Sequence, residues 1–135
     1  MKYVFDTTTY SELLRGHTEV AQLVKDAEQI LIPHVVMAEL QYGFRLGSRQ
    51  TENERLLARF VASSKVRILL PDNATTSYFV TIAVFARARG IQLSSHDLWI
   101  AALSEQWDAT LVSFDKDFQH LNRKELRLDF KIQLS

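Results

Sequence analysis

"ATLVSFDKDF", residues 109–118, sets a short and almost continuously apolar run against two acids, Asp115 and Asp117. A strand with one wet face alternates apolar and polar side chains, whereas a strand covered by helices on both faces is apolar throughout. The run 109–114 is of the second kind. The same reading fits "KYVFD" at 2–6, "QILIP" at 29–33, "VRILL" at 66–70 and "FKIQL" at 130–134. Longer helical segments separate these runs: 9–16, ended by Gly16; 18–28; 35–47, stopping near Gly47; 51–64; 73–90, stopped by Gly90; and a helix from Leu98 onward. Strands alternating with helices predict an α/β architecture with a mostly parallel sheet of about five strands.

The chain of 135 residues suits one domain spanning 1–135, since no linker, repeat or low-complexity run divides it. Hydrophobic residues make up 47% and charged residues 24%, which is ordinary for a globular protein. Sixteen basic residues balance sixteen acidic ones, so bulk charge cannot coat a nucleic acid and any polyanion must be held locally. Cysteine is absent, which excludes disulfides and thiolate metal sites. The start "MKYVFDTTTY" lacks the pattern of a signal peptide, and no apolar run approaches the roughly 20 residues that cross a bilayer, so a cytoplasmic protein without membrane contact is expected.

In an open parallel sheet, ligands gather beyond the carboxyl ends of the strands. Asp6 ends the first strand, and Asp115 and Asp117 follow the run 109–114. Glu39 lies in "VVMAELQYG", on the helix after the second strand, and Asp97 opens the apolar helix of "SSHDLWIAALSEQ", residues 94–106. Each has a plain alternative. Asp97 and Asp6 can act as helix caps, Glu39 can face solvent, and Asp115 and Asp117 can be solvated loop acids. Acids at the edges of four separate apolar elements nevertheless suggest one shared pocket.

Carboxylates that meet in a partly dry pocket repel one another, and each is costly to desolvate. A hard divalent cation resolves the conflict: Mg²⁺ or Mn²⁺ prefers oxygen donors and commonly joins one or two carboxylates to substrate phosphate oxygens. That chemistry suits phosphodiester hydrolysis by a metal-activated water, with no protein nucleophile required. His17, His34, His96 and His120 show no metal-ligand spacing and are read as structural or solvated.

The segments "YVFDTTTYSELLRG" (3–16), "LIPHVVMAELQYG" (31–43) and "SHDLWIAALSEQWDATLVSFDKDF" (95–118), with the closing strand, resemble the PIN-domain family, specifically its VapC-type ribonuclease toxins. The resemblance implies a three-layer α/β/α sandwich and an Mg²⁺- or Mn²⁺-dependent endoribonuclease. Its acidic quartet would fall on Asp6, Glu39, Asp97 and Asp115, with Asp117 close by. It also implies a homodimer, RNA as substrate, and a cognate VapB-like antitoxin lying across the groove near the site. Two positions depart from the family's habit, in that Thr8 and His96 stand where Asn is common.

On this reading Asp6 is the most direct ligand, Glu39 and Asp97 shape the cage, and either Asp115 or Asp117 completes it. Thr8 and Ser113 support the acids as hydrogen-bond donors, and Arg45, Arg49 and Lys116 grip phosphates. The segment 77–90 and the residues Leu13, Leu14 and Tyr42 are candidates for dimer or antitoxin contacts. A phosphoacceptor receiver domain is the rival from another class, but it requires paired acids at the first strand and a late lysine, and Asp6 stands alone. The other rivals are a degenerate PIN-like binding module for RNA or protein, and a structure-specific DNA nuclease, whose usual clamping elements this short chain lacks.

Overall fold

Four of the apolar runs form strands close to their expected bounds: β1 (Lys2–Phe5), β2 (Gln29–Pro33), β3 (Val66–Leu69) and β4 (Thr110–Ser113). The computed structural model describes residues 1–130, so the expected strand at 130–134 lies, apart from its first residue, outside the described residues. The closing strand β5 is seen at Leu128–Phe130, preceded by Arg127 and with Asp129 at its centre. Among the described residues it pairs with β4 alone, and charged residues are tolerated on such an edge, which hides its start from an apolar pattern.

All four pairings are parallel, in the order β3-β2-β1-β4-β5. The chain winds outward from β1 to β3, then returns past β1 to β4. With right-handed crossovers, this reversal sends the helices before β3 and those after it to opposite faces, giving a three-layer sandwich. These helices are α1 (Thr7–Leu14), α2 (Thr18–Asp26), α3 (His34–Leu46) and α4 (Gln50–Val61), then α5 (Asn73–Ala88) and α6 (Ser95–Gln106). The inner strands are sealed on both sides, as the unbroken burial of Ile30, Leu31, Ile32, Leu111 and Val112 shows. Among the described residues no helix is long and apolar enough to cross a membrane.

The starts of α1 and α6 differ most from expectation, and a capping side chain is the reason in each. Three consecutive threonines are poor helix formers, but the Asp6 carboxylate caps α1 and lets it begin at Thr7. Asp97 does not open α6: the N-cap is Ser94, and Asp97 is the third helical residue of a capping box, with Ser94 Oγ accepting the Asp97 N–H and Asp97 Oδ2 accepting the Ser94 N–H. Gly16 and Gly90 end their helices in the left-handed region, at φ +88° and +67°.

Candidate metal centre

Adjacent strands whose crossovers run in opposite directions leave a crevice at their carboxyl ends, and here those strands are β1 and β4. Their register sets Phe5 opposite Val112, so Asp6 and Ser113 leave the sheet together. Asp6 is buried, with 3% of its surface exposed. Its Oδ1 accepts from Thr8 Oγ1 at 2.7 Å and from the Thr9 amide at 2.9 Å, and Oδ2 accepts from Ser113 Oγ. Thr9 Oγ1 lies 3.0 Å from Oδ1 and 2.6 Å from the Val112 carbonyl, so one proton faces two acceptors. Burial pushes the Asp6 carboxyl above its ordinary 3.8, and these hydrogen bonds only partly offset it.

Thr8 does more than contact Asp6. Its Oγ1 also accepts the Phe114 N–H at 3.0 Å and so ties the end of β1 to the residue after β4. Ser113 links the same strand ends a second time, since its Oγ accepts the Asp115 N–H at 2.9 Å while donating to Asp6. Asp115 then caps the 3₁₀ turn Lys116–Phe118 by accepting the Asp117 N–H at 2.9 Å.

Asp97 arrives from α6 and meets this turn. Asp97, Asp115 and Asp117 each offer a carboxylate oxygen, and these oxygens lie within 4.8 Å of one another. Burial raises the Asp97 carboxyl above 3.8, and the charges of Asp115 and Asp117 add to that rise against the Ser94 hydrogen bonds. Asp6 stands two hydrogen bonds behind the trio, through the Ser113 hydroxyl. Glu39 is held apart, with Oε1 accepting from Thr7 Oγ1 at 2.6 Å and Oε2 lying 3.1 Å from His96 Nδ1. His96, read from sequence as structural or solvated, is thus an exposed residue that joins α6 to Glu39 on α3. A hydroxyl at a helix start carries no spacing signal, so the sequence does not single out Thr7, whereas Ser94 is the first residue of an S-x-x-D box.

The three expected phosphate-binding cations separate. Arg49 lines a groove of about 900 Å³ with Thr7 and Glu39. Lys116 lines a second recess, of about 530 Å³, beside Asp117. Arg45 is exposed on α3 and lines neither.

Oxygen donors alone, with no ring nitrogen or thiolate among them, form the trio, and their mutual repulsion is what a hard divalent cation would relieve. The donor set therefore fits Mg²⁺ or Mn²⁺. A doubly wound parallel sheet with such carboxylates at its switch point defines a class of acid-centred α/β/α domains. Within that class, the model of the PIN domain family matches residues 3–124, and the chain belongs to that family. A relative named Ribonuclease VapC2, from Rickettsia felis, is 26% identical over 126 residues, spanning 90% of this chain and 92% of the relative. Among solved structures, VapBC2 of Rickettsia felis bound to a DNA fragment from its promoter aligns over 97% of this chain and 99% of that one, with a TM-score of 0.83 and 23% identity. VapBC-1 of nontypeable Haemophilus influenzae aligns over 96% and 98%, with a TM-score of 0.81 and 21% identity.

Proposed function

We propose that the protein is a metal-dependent endoribonuclease, the toxin of a type II toxin–antitoxin pair, acting as one domain in the cytoplasm. The observation that carries this reading is the meeting of Asp97, Asp115 and Asp117 at the strand ends. A ribonuclease among the full-length relatives supports the choice of substrate.

Asp97, Asp115 and Asp117 would hold Mg²⁺ or Mn²⁺, which when bound supplies Lewis-acid activation of a phosphodiester and of water. Asp6 orders the cage from behind: its hydrogen bond from Ser113 fixes the hydroxyl that receives the Asp115 amide, and so helps to place the Asp115 backbone, while the Asp117 amide orients the Asp115 carboxylate. Glu39 remains an acid at the rim, oriented by Thr7 and His96 and available to accept a proton or a water. Arg49 in the groove and Lys116 beside the trio are placed to bind RNA phosphates, while the exposed Arg45 has the weaker claim. A VapB-like antitoxin is the proposed partner, since the solved relatives are VapBC assemblies, and the groove beside Glu39, walled by Leu14, Leu40, Phe44 and Leu56, offers an apolar seat for its segment. A homodimer is the proposed assembly, through the exposed apolar face of α5.

The test is cleavage of single-stranded RNA by purified wild type and by Asp97→Asn, with Mg²⁺, with Mn²⁺ and with EDTA. The expected result is cleavage by wild type that EDTA stops and that Asp97→Asn lacks. Equal cleavage by both proteins returns Asp97 to a helix-capping role and removes the proposal.

A further inference from the structure

The recess beside Asp117 is lined by Arg89, Gly90, Ile91, Gln92, Lys116 and His120, with Asp117 itself as the shared wall. Asp117 therefore belongs both to the carboxylate trio and to this recess, so the recess adjoins the candidate metal centre. Its charge differs from that of the groove beside Glu39. There Arg15 and Arg49 are matched by Glu39 and Glu52, whereas here Arg89 and Lys116 face one acid, and that acid is committed to the trio. In a chain of zero formal net charge, this local excess is the kind of feature that holds a polyanion.

The cations are also available and partly ordered. Neither Arg89 nor Lys116 forms an ion pair among the described residues. The Arg89 guanidinium lies 3.7 Å from the centroid of the Phe85 ring and donates one hydrogen bond, at 3.3 Å, to the Phe85 carbonyl. The ring contact and this hydrogen bond restrain the guanidinium and leave further N–H groups to donate, which suits a phosphate oxygen pair. Lys116 is anchored by its place in the 3₁₀ turn that Asp115 caps. A volume of about 530 Å³ lies in the range of recesses that enclose small organic ligands rather than bare ions. Next to it, a further recess shares Gly90, Ile91 and Gln92 and carries Arg87, so the basic lining extends away from the metal centre.

We propose that the recess of Arg89, Lys116 and His120 is a subsite for a backbone phosphate of the RNA strand neighbouring the scissile one, and that it sets the path of the strand away from the carboxylate trio. This deepens the ribonuclease reading and rests on it. Lys116 is the cation nearest the acids in sequence and anchors the first phosphate; Arg89 and His120 line the rest of the subsite.

The test compares wild type with Arg89→Ala, Lys116→Ala and the double variant, using Arg59→Ala on α4, outside the recess, as control. Steady-state cleavage of a labelled single-stranded RNA is measured with Mn²⁺, and binding of the same RNA is measured across a salt series in an Asp97→Asn background. The expected result is a KM raised roughly five- to tenfold in each single variant with little change in kcat. The slope of log affinity against log salt should also fall by about 0.7 for each phosphate that the variant no longer neutralises. A merely structural role for Arg89 against Phe85 would lower thermal stability and leave the salt slope unchanged. Unchanged KM and slope in the double variant, with wild type active, overturns the subsite and leaves the nuclease reading standing. Absence of cleavage by wild type, with RNA binding that still depends on Arg89 and Lys116, overturns the nuclease reading and leaves the phosphate subsite. Absence of RNA binding altogether overturns the subsite.

Discussion

Ser113 Oγ donates to Asp6 Oδ2 at the point where β4 and β1 leave the sheet, and the same oxygen accepts the amide of Asp115. A buried carboxylate is thereby coupled to an acid of the candidate metal centre through one hydroxyl. Ser113→Ala removes a donor from Asp6 and an acceptor from Asp115, and an unsatisfied buried polar group costs about 1–3 kcal/mol. We expect a melting temperature lowered by several degrees and a cleavage rate reduced by roughly tenfold. Chemical denaturation and RNA cleavage at saturating Mn²⁺ check the two effects separately. An unchanged rate would show that Asp115 keeps its direction without Ser113.

Thr8 makes the second link between the strand ends, from Asp6 to the Phe114 amide. Thr8→Ser keeps the hydroxyl, and Thr8→Val keeps the shape without it. If the hydrogen bonds are what position Asp6, Ser is expected to retain most of the activity and Val to lose about 1–3 kcal/mol of stability together with much of the rate. Equal behaviour of Ser and Val in both assays would assign Thr8 to packing.

The acids predict an unusual response to pH. Asp6 and Asp97 both have carboxyls raised above 3.8 by burial, so the folded protein binds their protons more tightly than the unfolded chain does. Their contribution to stability is complete below 3.8 and is lost as pH rises through the raised folded values. In EDTA, the melting temperature is therefore expected to rise as pH falls through the raised folded values toward 3.8, and Asp97→Asn should be more stable than wild type at pH 7. Added Mn²⁺ should stabilise wild type at pH 7 and leave Asp97→Asn nearly unmoved, because the cation takes the place of the protons. Calorimetry of both proteins with and without metal measures this, and a flat wild-type profile in EDTA would contradict it.

Arg123 holds Glu105 of α6 through two hydrogen bonds, of 2.7 and 3.0 Å, with side-chain exposures of only 9% and 4%. The Arg123 guanidinium also lies 5.0 Å from the centroid of the Phe85 ring of α5. Glu105→Leu leaves Arg123 with Glu125, 3.7 Å away and half exposed, as its remaining acid, so the change is expected to cost about 1–3 kcal/mol. Replacing both, as Glu105→Leu with Arg123→Met, should cost clearly less than the single change. Denaturant titrations of the three variants form the cycle, and additive losses would contradict the coupling.

The α5 helix exposes Val80 and Val84, 52% and 63% accessible and one turn apart. For a homodimer built on this face, Val84→Glu should convert the dimer to a monomer at micromolar concentration, while leaving the fold intact. Sedimentation velocity reads the outcome directly. A variant that sediments as wild type moves the interface elsewhere.

The apolar runs and their helical spacers suffice to read the α/β class, the bounds of β2 and the parallel sheet, because burial on both faces leaves a strand nothing polar to present. The acids at 6, 39, 97, 115 and 117 could be picked out for a related reason: a charge at the end of an apolar element is costly unless something balances it. Which of them share a centre could not be read from their positions. That depended on β4 returning beside β1, on a capping box that turns Asp97 inward from α6, and on a one-turn 3₁₀ helix that brings Asp117 back beside Asp115. The sequence reading makes Asp6 the most direct ligand and Glu39 a wall of the cage, whereas tertiary contacts engage Asp6 with Ser113 and Glu39 with Thr7 and His96. Burial is a property of local pattern and shows in a single chain, whereas the approach of carboxylates separated by many residues is decided by strand order and by hydrogen bonds a few ångströms long, which only the folded chain supplies.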